Sequence, residues 1–327
     1  MGAAVSNWRL ANAVAREGQL GVVAGTALDL ILARRLQLGD PEGHLRRAIA
    51  AFPVAEIGNR VLEQYFISGG KAPDVPFKPV PLFTEPTRRE LLELCVVGNF
   101  VEVFLAKEGH SGPVGLNLLA KIQLPTLPCI YGAMLAGVDY IVVGAGIPRE
   151  IPGALDRFVN HEPASLRLFV EGATRDDDYR TTFVPRDIVP VALPPLKRPQ
   201  FLAIVSSHTL ASALVRKANG EVNGFVVEGE TAGGHNAPPR GPMQIDAAGE
   251  PVYSDRDRPD LARFRELGRP FWLAGSYGTP ERLIEARAEG AAGVQVEADG
   301  ANLELVPGRA AAAIQGDPAQ QGTQPGL

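Results

Sequence analysis

Short, nearly continuous apolar runs recur along this chain, and most of them end in glycine, serine or a single polar residue. Seven such runs predict strands, at residues 19–23, 114–118, 139–143, 201–205, 224–227, 271–274 and 293–296. Unbroken apolar character, rather than alternation, is what a strand buried on both faces of a parallel sheet requires. Segments with helical spacing of apolar residues lie between the runs. One is capped by Ser6 or Asn7 and carries Leu10, Ala11 and Val14; others cover residues 26–38 and 209–218. Thr279, Pro280 and Glu281 open a helix to Glu289, with a capping hydroxyl and proline at its first position. Strand and helix in alternation predict an α/β fold of the TIM-type (β/α)8 barrel kind. Seven strands are one short of closure, and residues 1–6 enter a helix at once, so the predicted barrel lacks its first strand.

Two stretches interrupt the rhythm. Residues 43–66 predict an inserted helical hairpin, followed by a Pro-rich segment to residue 86; residues 172–199 predict a loop insertion over one barrel end. A single domain is expected over residues 1–307. From residue 308 the chain is rich in Ala, Gln, Gly and Pro with almost no large apolar side chains, which predicts a disordered tail over 308–327.

Composition acts mainly by exclusion. The 327 residues are 45% hydrophobic and 21% charged, with a net charge of −5 and the two signs interspersed. No basic stripe points to nucleic acid, and no apolar run reaches the length of a membrane span. No leader pattern stands at the N-terminus. A cytoplasmic protein is the expectation. Cys95 and Cys129 are the only cysteines and are predicted to be buried free thiols. No His, Asp or Glu cluster has metal-ligand spacing, so no metal is expected, and no GxSxG elbow is present.

The candidate chemistry gathers at strand ends. Residues 224–241 read GFVVEGETAGGHNAPPRG. There an apolar run stops at Glu228, and a small-residue turn with Gly233 and Gly234 delivers His235, a group able to carry protons near neutral pH. Asn117 places a carboxamide inside an apolar run, where an unpaired amide is costly. Ser206 and Ser207 follow the fourth run. Gly275, Ser276 and Gly278 precede a helix start and suit a phosphate. Gln295 ends the seventh run. Asn117, Glu228 and Gln295 suit the edge of a heteroaromatic ring. Of the other histidines, His110 could line the site, His44 and His161 read as surface residues, and His208 as a helix start.

The motifs MGAAVS at 1–6, PVGLN at 113–117, VEGETAGGH at 227–235, WLAGSYGTPE at 272–281 and GAAGVQV at 290–296 resemble the nitronate monooxygenase family, formerly the 2-nitropropane dioxygenases. Flavin-dependent enoyl reductases associated with polyketide and fatty-acid synthases are close relatives there. GETAGGHNAPPRG and GAGIPREIPG look nearest to that branch. The resemblance spans residues 1 to about 296 and implies an FMN-binding TIM barrel. FMN contacts would fall on Gly2, Asn117, Ser206, Glu228, Gly233, Gly234, Gly275, Ser276, Gly278 and Gln295, with His235 as the catalytic residue. The implied reaction is oxidation of alkyl nitronates by molecular oxygen. The alternative is NAD(P)H-dependent reduction of an enoyl thioester, and a third reading is a degenerate barrel without activity. Small-molecule substrates and a possible homo-oligomer are the expected partners, with no nucleic acid and no membrane. The chain departs from the family at Ser276, where glycine is usual, and at Glu297-Ala298, where Gly-Thr is usual. Glu297 would bring a negative charge to the phosphate position. A late start and a shifted reading frame at the far end would account for both unusual termini.

Overall fold

The computed structural model describes residues 3–174, 176–232 and 238–296. Nine strands occur among them: β1 (Gly21–Ala24), β2 (Val114–Leu119), β3 (Tyr140–Gly144), β4 (Ala164–Arg167), β5 (Arg180–Phe183), β6 (Gln200–Val205), β7 (Gly224–Glu228), β8 (Phe271–Ala274) and β9 (Gly293–Gln295). Each of the seven apolar runs has become a strand. Together they form one fully parallel sheet in the order β1-β2-β3-β6-β7-β8-β9. β4 and β5 pair separately as an antiparallel hairpin. No strand lies between β1 and β9 among the described residues, so the sheet is open on that side.

Among the described residues eleven helices connect and flank the strands: α1 (Trp8–Arg16), α2 (Leu28–Gln37), α3 (His44–Ala50), α4 (Ala55–Tyr65), α5 (Arg89–Ala106), α6 (Thr126–Leu135), α7 (Ile151–Val159), α8 (Pro185–Ile188), α9 (His208–Lys217), α10 (Leu261–Glu266) and α11 (Pro280–Ala288). Asn7 caps α1, its Oδ1 accepting from the N–H groups of Arg9 (2.9 Å) and Leu10 (3.3 Å). Ser6 serves the edge of β1 instead. Its carbonyl accepts from Ala24 N–H at 2.8 Å and its hydroxyl donates to the Val22 carbonyl at 2.6 Å. No helix among the described residues is long and apolar enough to cross a membrane.

The sheet buries both faces. One face carries a small cluster that includes Leu20, Val142, Leu202, Ile204, Val226, Trp272 and Ala274. The other meets the helices through Val23, Leu116, Ile141, Phe201, Phe225 and Leu273. α5 lies deep in this outer layer, with 14 of its 18 residues buried. Its two buried carboxylates are paired. Glu102 accepts from Arg35 and from the Trp8 N–H at the start of α1, and Glu93 accepts from Arg60 and Arg89. Cys95 and Cys129 are buried free thiols 3.5 Å apart where α5 meets α6. Contact with Cys129, helped by burial, pushes the Cys95 thiol up and keeps it protonated.

At the opposite end of the strands, Asp139 joins three segments. Burial pushes its carboxyl up, but hydrogen bonds from Lys107 (2.5 Å), Val114 N–H (3.0 Å) and Lys197 (3.0 Å) outweigh this and hold it below the usual aspartate range. A depressed folded value means stability that is present above the unfolded value of about 3.9 and is lost as pH falls through the folded one. Asp139→Asn is therefore expected to lower the melting temperature at pH 7, by about 1–3 kcal/mol of stability. In acid the gap between variant and parent should close. Melts at pH 7 and pH 3 check this, and a gap of constant size would contradict it.

Candidate active site

Parallel strands deliver all their C-terminal ends to one rim, and the loops that follow them are gathered there. The pairing register fixes which side chains share a face. Ala24, Asn117, Val142, Leu202 and Gly224 are successive partners across five strands. Ile204, Val226, Trp272 and Gly293 form the next row, and Glu228, Ala274 and Gln295 the row nearest the rim. Residues two apart on a strand share a face. Asn117, Glu228 and Gln295 therefore lie on the side of the smaller apolar cluster, at or near the rim.

Asn117 is only 6% exposed, and its Oδ1 has no hydrogen-bond partner among the described residues. Its lateral partners, Ala24 and Val142, have only apolar side chains. A buried acceptor left unmatched costs about 1–3 kcal/mol. The chain tolerates that cost near the C-terminal ends of parallel strands, where such sheets bind ligands, and a donor on a ring edge would satisfy the oxygen. Glu228, Gln295 and Ser206 are half-buried around the same rim.

The turn after β8 has an unusual backbone. Gly275 (φ 105°) and Ser276 (φ 57°) are consecutive residues in the left-handed region. A Cβ at Gly275 would stand 2.7 Å from the Ala232 nitrogen, so this turn presses directly on the loop that leaves β7. Gly278 and Ser276 are exposed, and Thr279 then caps α11, its hydroxyl accepting from Arg282 N–H at 3.3 Å with Pro280 next in line. The residues present thus fit a phosphate and a ring with a hydrogen-bonding edge.

Left-handed backbone occurs at this rim and also away from it, at Ala4, Asp40 and His161. Of the non-glycine residues with positive φ, Ala27, Ala145 and Ser276 each sit in the loop leaving a parallel strand (β1, β3 and β8). Such conformations cost about 1–2 kcal/mol for an L-residue and gather at ligand sites. Ala27 and Ala145 carry no mark of this in the sequence, since alanine gives no signal for a left-handed turn.

On the β2–β3 side the β4–β5 hairpin is tied to the rim. Glu150 accepts from Arg167 N–H (2.7 Å) and from Arg180 (2.8 Å), while Gln123 bonds both backbone groups of Phe169.

Other residues fall elsewhere. His110 precedes β2, so it lies at the N-terminal end of the sheet, away from the rim, and the expectation that it lines the site is corrected. Its ring bonds the Ala106 carbonyl and accepts from Gly112 N–H. Ser207 is occupied in capping α9, whose first residue is His208. His161 is no simple surface residue, because it links the Tyr131 hydroxyl (2.8 Å) to the Pro194 carbonyl (3.0 Å). Gly2, Gly233, Gly234, His235 and Glu297 lie outside the described residues, as do Arg175 and the 308–327 segment.

An open parallel α/β sheet with its polar groups collected at the C-terminal rim belongs to the class of folds that bind ligands there. No family model matches the chain, and no curated protein matches it. Among solved structures it is similar to a FabK mutant from Thermotoga maritima, at 13% identity and a TM-score of 0.42, covering 90% of this chain and 57% of that one. It is also similar to the enoyl reductase domain of MlnA from the macrolactin biosynthesis cluster of Bacillus amyloliquefaciens, at 13% identity and a TM-score of 0.32, covering 76% and 50%. The chain spans between half and three fifths of the length of these proteins.

Proposed function

We propose that this protein is an FMN-dependent oxidoreductase that reduces enoyl thioesters. The unmatched Asn117 oxygen carries the reading, because its position asks for a donor that none of the described residues supplies. The turn at Gly275, Ser276 and Gly278, with positive φ at its first two residues, supports a phosphate there. The GETAGGHNAPPRG and GAGIPREIPG motifs, nearest to synthase-associated reductases, favour thioester reduction over nitronate oxidation.

When bound, FMN supplies a two-electron carrier able to take a hydride equivalent from NAD(P)H and give it to carbon. The overall change is enoyl thioester plus NAD(P)H plus a proton to saturated thioester plus NAD(P)+. Asn117, Glu228 and Gln295 would orient the ring edge from the sheet side. Gly275, Ser276 and Gly278 would hold the phosphate through backbone N–H groups. His235 would hand the proton to the substrate.

Purified protein is expected to keep flavin absorption bands through gel filtration and to oxidise NAD(P)H only when a short enoyl thioester is added. His235→Ala is expected to lower that turnover by about 100-fold while flavin stays bound. Oxygen uptake with an alkyl nitronate and no nicotinamide would move the assignment to nitronate oxidation. A folded protein that retains no flavin would leave the degenerate barrel.

A further inference from the structure

The most exposed large apolar side chain among the described residues is Phe169, 93% exposed near the start of the loop that joins β4 to β5. A single apolar side chain in water is ordinary, but Phe169 does not stand alone. Val170 follows it, and Ile122 and Ile147, in the loops leaving β2 and β3, are exposed as well. These three loops brace one another. The Gln123 side chain bonds both backbone groups of Phe169, which brings Ile122 to that segment. A Cβ at Gly146 would stand 2.8 Å from the Ala120 Cβ, so the loops that carry Ile122 and Ile147 also touch. Glu150 completes the frame through Arg167 N–H and Arg180. The outcome is one apolar patch on a fixed platform beside the rim. A ring whose backbone is already held loses little further freedom when a partner covers it, and apolar patches rimmed by polar groups mark contact surfaces.

The charges around the patch are divided by sign. Lys121 and Arg149 are exposed on the two rim loops, and neither side chain has an ion pair or hydrogen bond among the described residues. Glu171 and Asp176 are exposed on the β4–β5 loop and are equally unmatched there. Their neighbours, by contrast, are occupied. Arg180 pairs with Glu150 and Asp178, and Asp177 accepts from the N–H and hydroxyl of Thr174. Free bases therefore sit on the rim loops and free acids on the β4–β5 loop, with Phe169 and Val170 at the junction.

A surface of this kind is complementary to itself. A two-fold axis near Phe169 lays the β4–β5 loop of one copy on the rim loops of the other. Each free acid then faces a free base, and the apolar side chains meet in the middle. A partner of one sign, such as nucleic acid or an anionic lipid surface, would set half of these charges against like charges.

We propose that this patch is the contact between two copies of this chain, closed about a two-fold axis, with the β4–β5 loop of each copy resting on the loops that leave β2 and β3 in the other. The inference stands apart from the flavin reading.

Sedimentation equilibrium of the full chain at low ionic strength is expected to show a dimer. Phe169→Asp should raise its Kd about 100-fold or more. The ring is in water and the segment is held through its backbone, so the variant should keep the parent's circular dichroism. Charge reversal then identifies the partner. Lys121→Glu with Arg149→Glu makes the patch acidic throughout, and Glu171→Lys with Asp176→Lys makes it basic throughout. Each double variant should be monomeric alone, because like charges meet across the axis. An equimolar mixture of the two should dimerise, because unlike faces then meet. A parent protein that is monomeric at every concentration, a Phe169→Asp protein that dimerises like the parent, or a mixture no more associated than its components would each overturn the proposal.

Discussion

Gly132→Val is expected to leave little folded protein. Gly132 lies on α6 where that helix meets α5, and even a Cβ there would stand 2.2 Å from the Val96 carbonyl oxygen and 3.0 Å from its Cα. These are backbone atoms of a helix held on several sides, so no side-chain rotation relieves the overlap. The helices must part, and the buried packing around Cys95, Val96 and Cys129 opens with them. Overpacking of this kind costs about 1–3 kcal/mol when side chains can yield. With backbone as the obstacle the loss should reach about 4 kcal/mol or more, a large part of the 5–15 kcal/mol typical of a whole domain. Thermal unfolding and gel filtration of the soluble fraction check this. Gly229→Ala is the comparison, since nothing stands within 4 Å of a Cβ at Gly229. It should melt close to the parent protein, and a Gly132→Val protein that did the same would refute the close approach of α5 and α6.

Asn117→Leu should have two effects of opposite sign. The unliganded protein should gain about 1–2 kcal/mol, because an unmatched buried acceptor is replaced by an apolar group among the apolar partners Ala24 and Val142. Flavin affinity should fall about 10-fold to 100-fold, because the ring edge loses its acceptor. Titration with FMN followed by absorbance, alongside melting of the flavin-free protein, measures both. Lower stability with flavin affinity unchanged would mean that the carboxamide is structural and faces no ligand. A gain in stability with affinity intact would place the ring elsewhere on the rim.

The parallel strands were legible because burial on both faces forces continuous apolar runs, and the glycines and serines that end them mark the rim. Asn117 was legible for the complementary reason, as one amide inside such a run. α5 was not, since a helix buried nearly all round shows no polar face and so no helical period. The β4–β5 hairpin was hidden by its four-residue strands, which carry arginine at Arg167 and Arg180 where an apolar pattern would be sought. At the site, sequence spacing pointed to the Gly275–Gly278 turn, but the left-handed backbone at Ala27 and Ala145 is imposed by tertiary packing. His110 stands near Asn117 in sequence but not in space. A residue entering a parallel strand and a residue leaving it stand at opposite ends of the sheet.

The pairing of β1 with β2 has a consequence for how the chain assembles. Gly21 lies beside Val114, 93 positions later, with α2 to α5 between them, whereas β2 and β3 pair across only 25 positions, Gly115 with Tyr140. Closing so long a loop must precede any gain from the contacts it makes. During synthesis β1 emerges early and has no sheet to join until β2 has left the ribosome. The pairs β2–β3, β6–β7 and β8–β9, as in Gly115 with Tyr140, Leu202 with Gly224 and Trp272 with Gly293, close the short loops and are thus the natural early contacts, with β1 and α1 docking late. Substitutions in β1 should accordingly speed unfolding far more than they slow folding.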